Sequence, residues 1–312
     1  MNTNTSLQIF YKMMKARLLE EVAVKLKERG LIADELRLSL GQEAVAAAVC
    51  ALSLNDVIFV PRRNISSLIA ANVPSISILS ELCGLKEGMC GGKGGLDCAA
   101  WSDTNVFGPM ASPDSSLMRA CGTALSFSLQ GLPYCVLCIV GDSAAARGDL
   151  YTALNYAALN NLRIVFYVEN NGYAGRSRTR DTINVSEISR RTNGFEIPGF
   201  TVDGNDTNAV YEAVDQAISF SRQNRKPALI EAMTYRLAGE TYEEIQSYRS
   251  EEEVNMHAAI DPIEIHTKYM TEAGIGQISD FLSMREAIQE EIDAAVDNVL
   301  ALIRERIGGG EE

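Results

Sequence analysis

Apolar residues recur at helical spacing through residues 7–30, up to Lys27-Glu28-Arg29-Gly30, and predict a helix. An Ala-rich stretch, 39–54, predicts a second helix opening at Gly41-Gln42-Glu43. Short apolar runs at 56–60, 134–140 and 163–168 read as strands. The last two are apolar at successive positions, as strands buried on both faces are. Helices are predicted at 75–85 and 117–131. Leu150, Ala153, Leu154, Ala157 and Ala158 fill one face of another over 149–160. Residues 88–116 are rich in Gly, Ser, Asp and Pro and read as a long loop, and 176–194 as a polar, Arg-rich one. A strand and turn at 199–206, a helix at 209–223, a strand at 227–236 and a charged amphipathic helix at 278–307 complete the chain. Alternating strands and helices imply an α/β fold with a mainly parallel sheet and helices on both faces. We expect one domain over 1–312, with an N-terminal helical segment and a C-terminal helix.

Composition narrows the function classes. The 312 residues carry a formal net charge of -13, which argues against nucleic acid or an anionic membrane as partner. No run of eighteen apolar residues predicts a membrane span, and the N-terminus does not read as a secretory signal. Seven cysteines, an odd count, fit reduced thiols and a cytoplasmic location. Cys135 and Cys138 form a CxxC, but inside an apolar strand and without a nearby histidine, so they read as core residues. His257 and His266 are the only histidines, which argues against His-rich metal sites and Ser-His-Asp triads.

One stretch carries chemistry. If 134–140, 149–160 and 163–168 form a βαβ unit, its two strands are parallel and end on one sheet edge. Asp142 follows the first strand and Asn171 the second. A carboxylate and a carboxamide delivered to one place suit a hard cation such as Mg²⁺, whose remaining positions phosphate oxygens fill. The main-chain carbonyl near Tyr173 offers a third oxygen, and the helix opening at Gly148 would favour a phosphate. Taken singly, Asp142 also reads as a helix N-cap and Asn170-Asn171-Gly172 as an ordinary turn.

The run from Gly141-Asp142-Ser143 to Glu169-Asn170-Asn171-Gly172-Tyr173 resembles the thiamine diphosphate motif, GDG followed by NN about thirty residues later. GQEAVAAAV at 41–49, GGKGG at 91–95, ALNYAAL at 153–159, VDGND at 202–206 and PALIEAMTYR at 227–236 are similar to the alpha subunits of 2-oxo acid dehydrogenases (pyruvate, branched-chain and acetoin dehydrogenases). The resemblance covers nearly the whole chain. It implies a thiamine diphosphate-binding fold in which Asp142, Asn171 and the Tyr173 carbonyl bind Mg²⁺. Cofactor contacts are implied for Gly141, Ser143, Ala144 and Ala174, and for Arg63, with Arg62 where the family usually has tyrosine. A family GGHG or GGNG segment aligns with residues 108–111 and adds Met110 and Ala111. A separate beta subunit, in an α2β2 assembly, would supply the glutamate that activates the cofactor. The implied activity is decarboxylation of a 2-oxo acid and transfer of the acyl or hydroxyalkyl unit to an acceptor, lipoyl or otherwise.

The chain departs from the family where substrate is met. Arg63-Asn64-Ile65 stands for R-x-H. In YRLAGETYEEIQSYR, at 235–249, Glu240 takes the place of a histidine and Glu244 that of an aspartate. Glu240 is therefore the candidate catalytic group, against its reading as a solvated loop carboxylate. These changes keep open a divergent carboligase or acyltransferase of specialised metabolism with a non-lipoyl acceptor. A non-catalytic scaffold homologue is opposed by the intact Asp142 and Asn171. An NAD-binding dehydrogenase is opposed by the lack of a GxGxxG after a strand.

Overall fold

A computed structural model describes residues 1–308 except Ala111 and Pro113. The chain opens with helix α1 (Thr3–Glu28), capped by Asn2, whose side chain accepts from the Thr5 amide. Helix α2 (Val45–Cys50) and strand β1 (Val57–Phe59) follow, then α3 (Ile65–Ala70) and α4 (Ser75–Leu82). Two-residue strands β2 (Ala100–Trp101) and β3 (Val106–Phe107) precede α5 (Ser115–Leu129) and β4 (Val136–Gly141). After β4 come the one-turn α6 (Asp142–Ala145), α7 (Gly148–Leu159) and β5 (Ile164–Asn170). A small hairpin, β6 (Tyr173–Ala174) and β7 (Ser177–Arg178), leads to α8 (Thr179–Thr182). Strand β8 (Gly199–Asp203), helix α9 (Thr207–Asn224) and strand β9 (Ala228–Met233) follow, and α10 (Glu251–Ala258), α11 (Pro262–Glu272) and α12 (Ile278–Gly308) close the chain.

The sheet runs β2-β3-β1-β4-β5-β9-β8, and every pairing in it is parallel except β2 with β3. Parallel strands need both faces covered, and the apolar runs supply both. Cys135, Leu137 and Ile139 pack into a core with α1, α2, α3, α4, α9, α11 and α12. Val136, Cys138 and Val140 pack into a second core with α5 and α7. The CxxC is thereby explained. Successive strand side chains alternate in face, so two residues three apart lie on opposite sides of the sheet. Cys135 and Cys138 sit in different cores and cannot share a metal or a disulfide.

Three expectations change. The stretch 176–194, expected to be a polar loop, carries β7, α8 and a 3-10 segment at Ile188–Phe195, elements too short to show a period. The helix predicted over 39–54 is a helix only over Val45–Cys50. Gly41 has φ +85°, and a Cβ there would lie 2.6 Å from the Tyr235 carbonyl oxygen and 2.8 Å from the Leu237 side chain. The GQE segment is thus a turn pressed against the exit of β9, with the Leu237 amide donating to Leu40 O at 3.0 Å. The stretch 88–116, expected to be loop throughout, carries β2 and β3, and β3 pairs with β1. Two-residue strands are too short to show a period. A buried carboxylate organises the glycines before them. Glu81 on α4 accepts from the amides of Cys90 (2.7 Å), Gly92 (3.0 Å), Gly94 (3.1 Å) and Gly95 (2.9 Å). Glycine is required at 92, where a Cβ would lie 2.3 Å from the Gly84 carbonyl carbon.

A second buried carboxylate, Glu20 on α1, takes the Ser39 amide at 2.6 Å. Burial, reinforced by Glu43, pushes its carboxyl up to about 8. No helix among the described residues is long and apolar enough to cross a membrane.

Two tests follow from these carboxylates. Glu81→Ala strands four amides and should destabilise the protein by about 3 kcal/mol in urea titration, with first protease cleavage moving to 90–95. For Glu20, the folded carboxyl lies above its ordinary 4.5, so its contribution is full below pH 4.5 and is lost as pH rises to about 8. Glu20→Gln should flatten this decline, raising stability at pH 8 relative to wild type by roughly a few kcal/mol when both are referenced to pH 4.5.

Candidate active site

Because β1, β4 and β5 are parallel, the residues that follow them emerge on one edge. The register pairs Gly141 with Glu169, so Asp142 lies one residue past that pair and Asn171 two. A cavity of about 360 Å³ opens at this edge. Its walls include Arg62, Arg63, Gly141, Asp142, Ser143, Ala144, Asn171, Tyr173, Ala174 and Glu240. The sequence-derived site therefore converges, with one exception. Met110 is not among the lining residues. Its amide donates to the Asp97 carbonyl at 2.7 Å, and its side chain is half exposed. Ala111 lies outside the described residues.

Asp142 is 1% exposed. One carboxylate oxygen accepts from the Ser143 amide at 2.7 Å and the other from the Thr179 hydroxyl. Burial raises its carboxyl above the ordinary value, against these two hydrogen bonds. It starts α6 rather than standing before it, and Gly141 is the cap. The Asn171 amide donates to Gln42 Oε1 at 3.3 Å, and its oxygen accepts from the Tyr173 amide at 3.2 Å. That orients the carboxamide while leaving its oxygen a second lone pair. The Tyr173 hydroxyl is engaged by Glu253 at 2.5 Å. Among the described residues no group of three or more His, Cys, Asp or Glu is placed to hold a metal ion. The available donors are instead one carboxylate, one carboxamide and the main chain, a set suited to a hard cation that keeps other ligands.

Arg63, with a side chain 9% exposed, is one of two largely enclosed cations of the cavity. It donates to Leu38 O at 2.7 Å, to Glu240 O at 3.2 Å and to the Glu240 carboxylate at 3.3 Å. Burial, with Arg236 close by, lowers its guanidinium to about 10. Arg62 is more exposed and is bound by Asp97 at 2.7 Å. Glu240 is no free loop carboxylate. It meets Arg63, Arg236 and, at 3.8 Å, Arg37.

Several lining residues were not singled out by the sequence. Glu169 forms part of the wall, and burial pushes it up to about 8 against the opposing effects of Arg63 and Gln42. Arg236 is fully buried and joins Glu240, the Gly175 carbonyl (2.9 Å) and the Tyr248 hydroxyl (2.8 Å). Gln42 lay within the quoted GQE and Arg236 within TYR, so the motifs contained both without marking them. Neither histidine lines the cavity. His266 is buried between the Thr207 hydroxyl (2.6 Å) and Ser6 O (2.9 Å), while His257 stacks on Tyr235 at 3.8 Å. Ile65 is buried in the core and also lies outside the lining.

Comparison with known proteins gives the family. The alpha subunit of acetoin:2,6-dichlorophenolindophenol oxidoreductase from Bacillus subtilis is 32% identical, over 93% of this chain and 87% of the relative. The corresponding Cupriavidus necator subunit is 31% identical, over 98% and 90%. The pyruvate dehydrogenase E1 component subunit alpha of Rhizobium meliloti is 30% identical, over 93% and 84%. Residues 11–302 match the family described as dehydrogenase E1 component, and the chain belongs to that family.

Proposed function

We propose that this chain is the alpha subunit of a thiamine diphosphate- and Mg²⁺-dependent enzyme that acts on a 2-oxo acid. The observation that carries the reading is the convergence of Asp142, Asn171 and Arg63 on one cavity at the ends of parallel strands. The donor set fits the group. A buried carboxylate and an oriented carboxamide suit Mg²⁺, and a buried guanidinium suits a diphosphate. When bound, the cofactor supplies the electron sink for decarboxylation and carries the acyl or hydroxyalkyl unit to an acceptor.

The chain's own residues then have distinct tasks. Asp142 brings the negative charge for the cation, and Thr179 and Ser143 hold that carboxylate in place. Asn171 presents its oxygen because its side-chain nitrogen donates to Gln42 Oε1. The Tyr173 main chain is the third candidate ligand, its phenol being held by Glu253. Ser143, Ala144 and Ala174 line the cavity beside these groups and keep its wall small. The relatives are named as alpha subunits, which supports a separate beta subunit, in an α2β2 arrangement, as the source of the activating glutamate.

A second reading concerns the acceptor. Neither histidine reaches the cavity, and the carboxylate of Glu240 occupies its rim. Proton transfer to substrate at this rim therefore falls to other groups, which favours a non-lipoyl acceptor such as an aldehyde.

The chain co-expressed with its beta partner should bind thiamine diphosphate only with Mg²⁺, measured by calorimetry. Asp142→Asn should weaken that binding about 100-fold while the melting temperature holds. Equal binding by this variant would sink the cofactor reading. Turnover of pyruvate and other 2-oxo acids should proceed with aldehyde acceptors, and efficient lipoamide acylation would remove the second reading.

A further inference from the structure

The cavity offered to a diphosphate already contains an anion of its own. Arg63 and Arg236 each have a single carboxylate partner among the described residues, and for both it is Glu240. Arg37 stands 3.8 Å from the other oxygen of the same carboxylate. The remaining lining arginines are also paired, Arg62 with Asp97 and Arg147 with Asp114. Arg63 and Arg236 thus share one carboxylate, and an anion that approaches either guanidinium meets Glu240 there.

The glutamate sits on a braced loop. Its amide donates to the Glu244 carboxylate at 2.6 Å, which Tyr248 (3.0 Å) and Arg176 (2.5 Å) also contact. Arg249 donates to the carbonyls of Arg236, Leu237 and Ala238. The carboxylate of Glu240 thus reaches the arginines from a fixed support. It is also more than a third exposed, so solvent can receive it if it lets go.

We propose that Glu240 is a positioning residue that acts as a built-in competitor for the diphosphate, holding Arg63 and Arg236 until phosphate oxygens replace it. The inference rests on the cofactor reading above and adds a control on affinity. Anion entry is an exchange of partners, so binding is weaker than the bare cluster of guanidiniums would give. It also couples cofactor loading to the loop, because the exchange removes one of the contacts that hold residues 239–240 at the cavity, beside the Arg63 bonds to the Gly239 and Glu240 carbonyls.

The test uses the full chain with Mg²⁺ and inorganic pyrophosphate as probe. Glu240→Gln keeps the shape of the side chain and removes its charge. It should tighten pyrophosphate binding about tenfold in calorimetry, because two partly buried ion pairs no longer compete. Unchanged or weaker binding would overturn the proposal, since a merely structural Glu240 would leave the arginines misplaced or indifferent. A wild-type measurement stands independently of how the variant folds. Saturating pyrophosphate should speed amide exchange at Gly239 and Glu240, whereas slowed exchange would mean that the anion clamps the loop and would overturn the idea. The two readings separate cleanly. Tighter pyrophosphate binding by Glu240→Gln without any thiamine diphosphate binding would support the inference and remove the cofactor reading. Equal, Mg²⁺-dependent cofactor binding by both proteins, with equal pyrophosphate affinity, would do the reverse.

Discussion

Parallel pairing of β4 with β5 is the constraint from which the site follows. Six register pairs, ending at Gly141 and Glu169, fix the relative heights of the two strand ends. Once they are fixed, Asp142 and Asn171 have little freedom about where they emerge. Both strands are sealed in apolar cores, so a slip of one residue would exchange the faces of every side chain. The placement of two polar groups is therefore secured by apolar residues that never meet a ligand. β1 extends the same logic to Arg62 and Arg63, which leave its end on the same edge.

The polar side of the molecule is built by buried carboxyl groups. Glu20, Glu43, Glu81 and Glu169 are all buried, and each has a defined backbone or side-chain partner. Glu43 joins Arg17, which also reaches Asp261 at 2.9 Å, and so ties the GQE turn to α1 and α11. Such groups are costly to bury and costly to leave without a partner. Around the cavity they cross-link segments far apart in sequence, which the apolar core alone does not do.

Much of this was legible in the chain. The buried strands, the α7 face and the C-terminal helix follow from periodicity, and the convergence of Asp142 with Asn171 follows from the parallel unit between them. The missing parts share a physical cause. β3 is too short to show a period, and the GQE turn departs from helix because the backbone of β9's exit presses on Gly41. The partners of Glu240 come from residues 37, 63 and 236, and no local pattern announces a contact across such separations. The sequence marked Glu240 as a departure; the structure makes it a hub.

The loop beyond β9 has one more consequence. Arg249 satisfies three successive carbonyls, at 236, 237 and 238, that would otherwise have to find water. A segment held this way keeps its shape through its own hydrogen bonds. A partner subunit docking over it would meet a finished surface and lose little conformational entropy in ordering it.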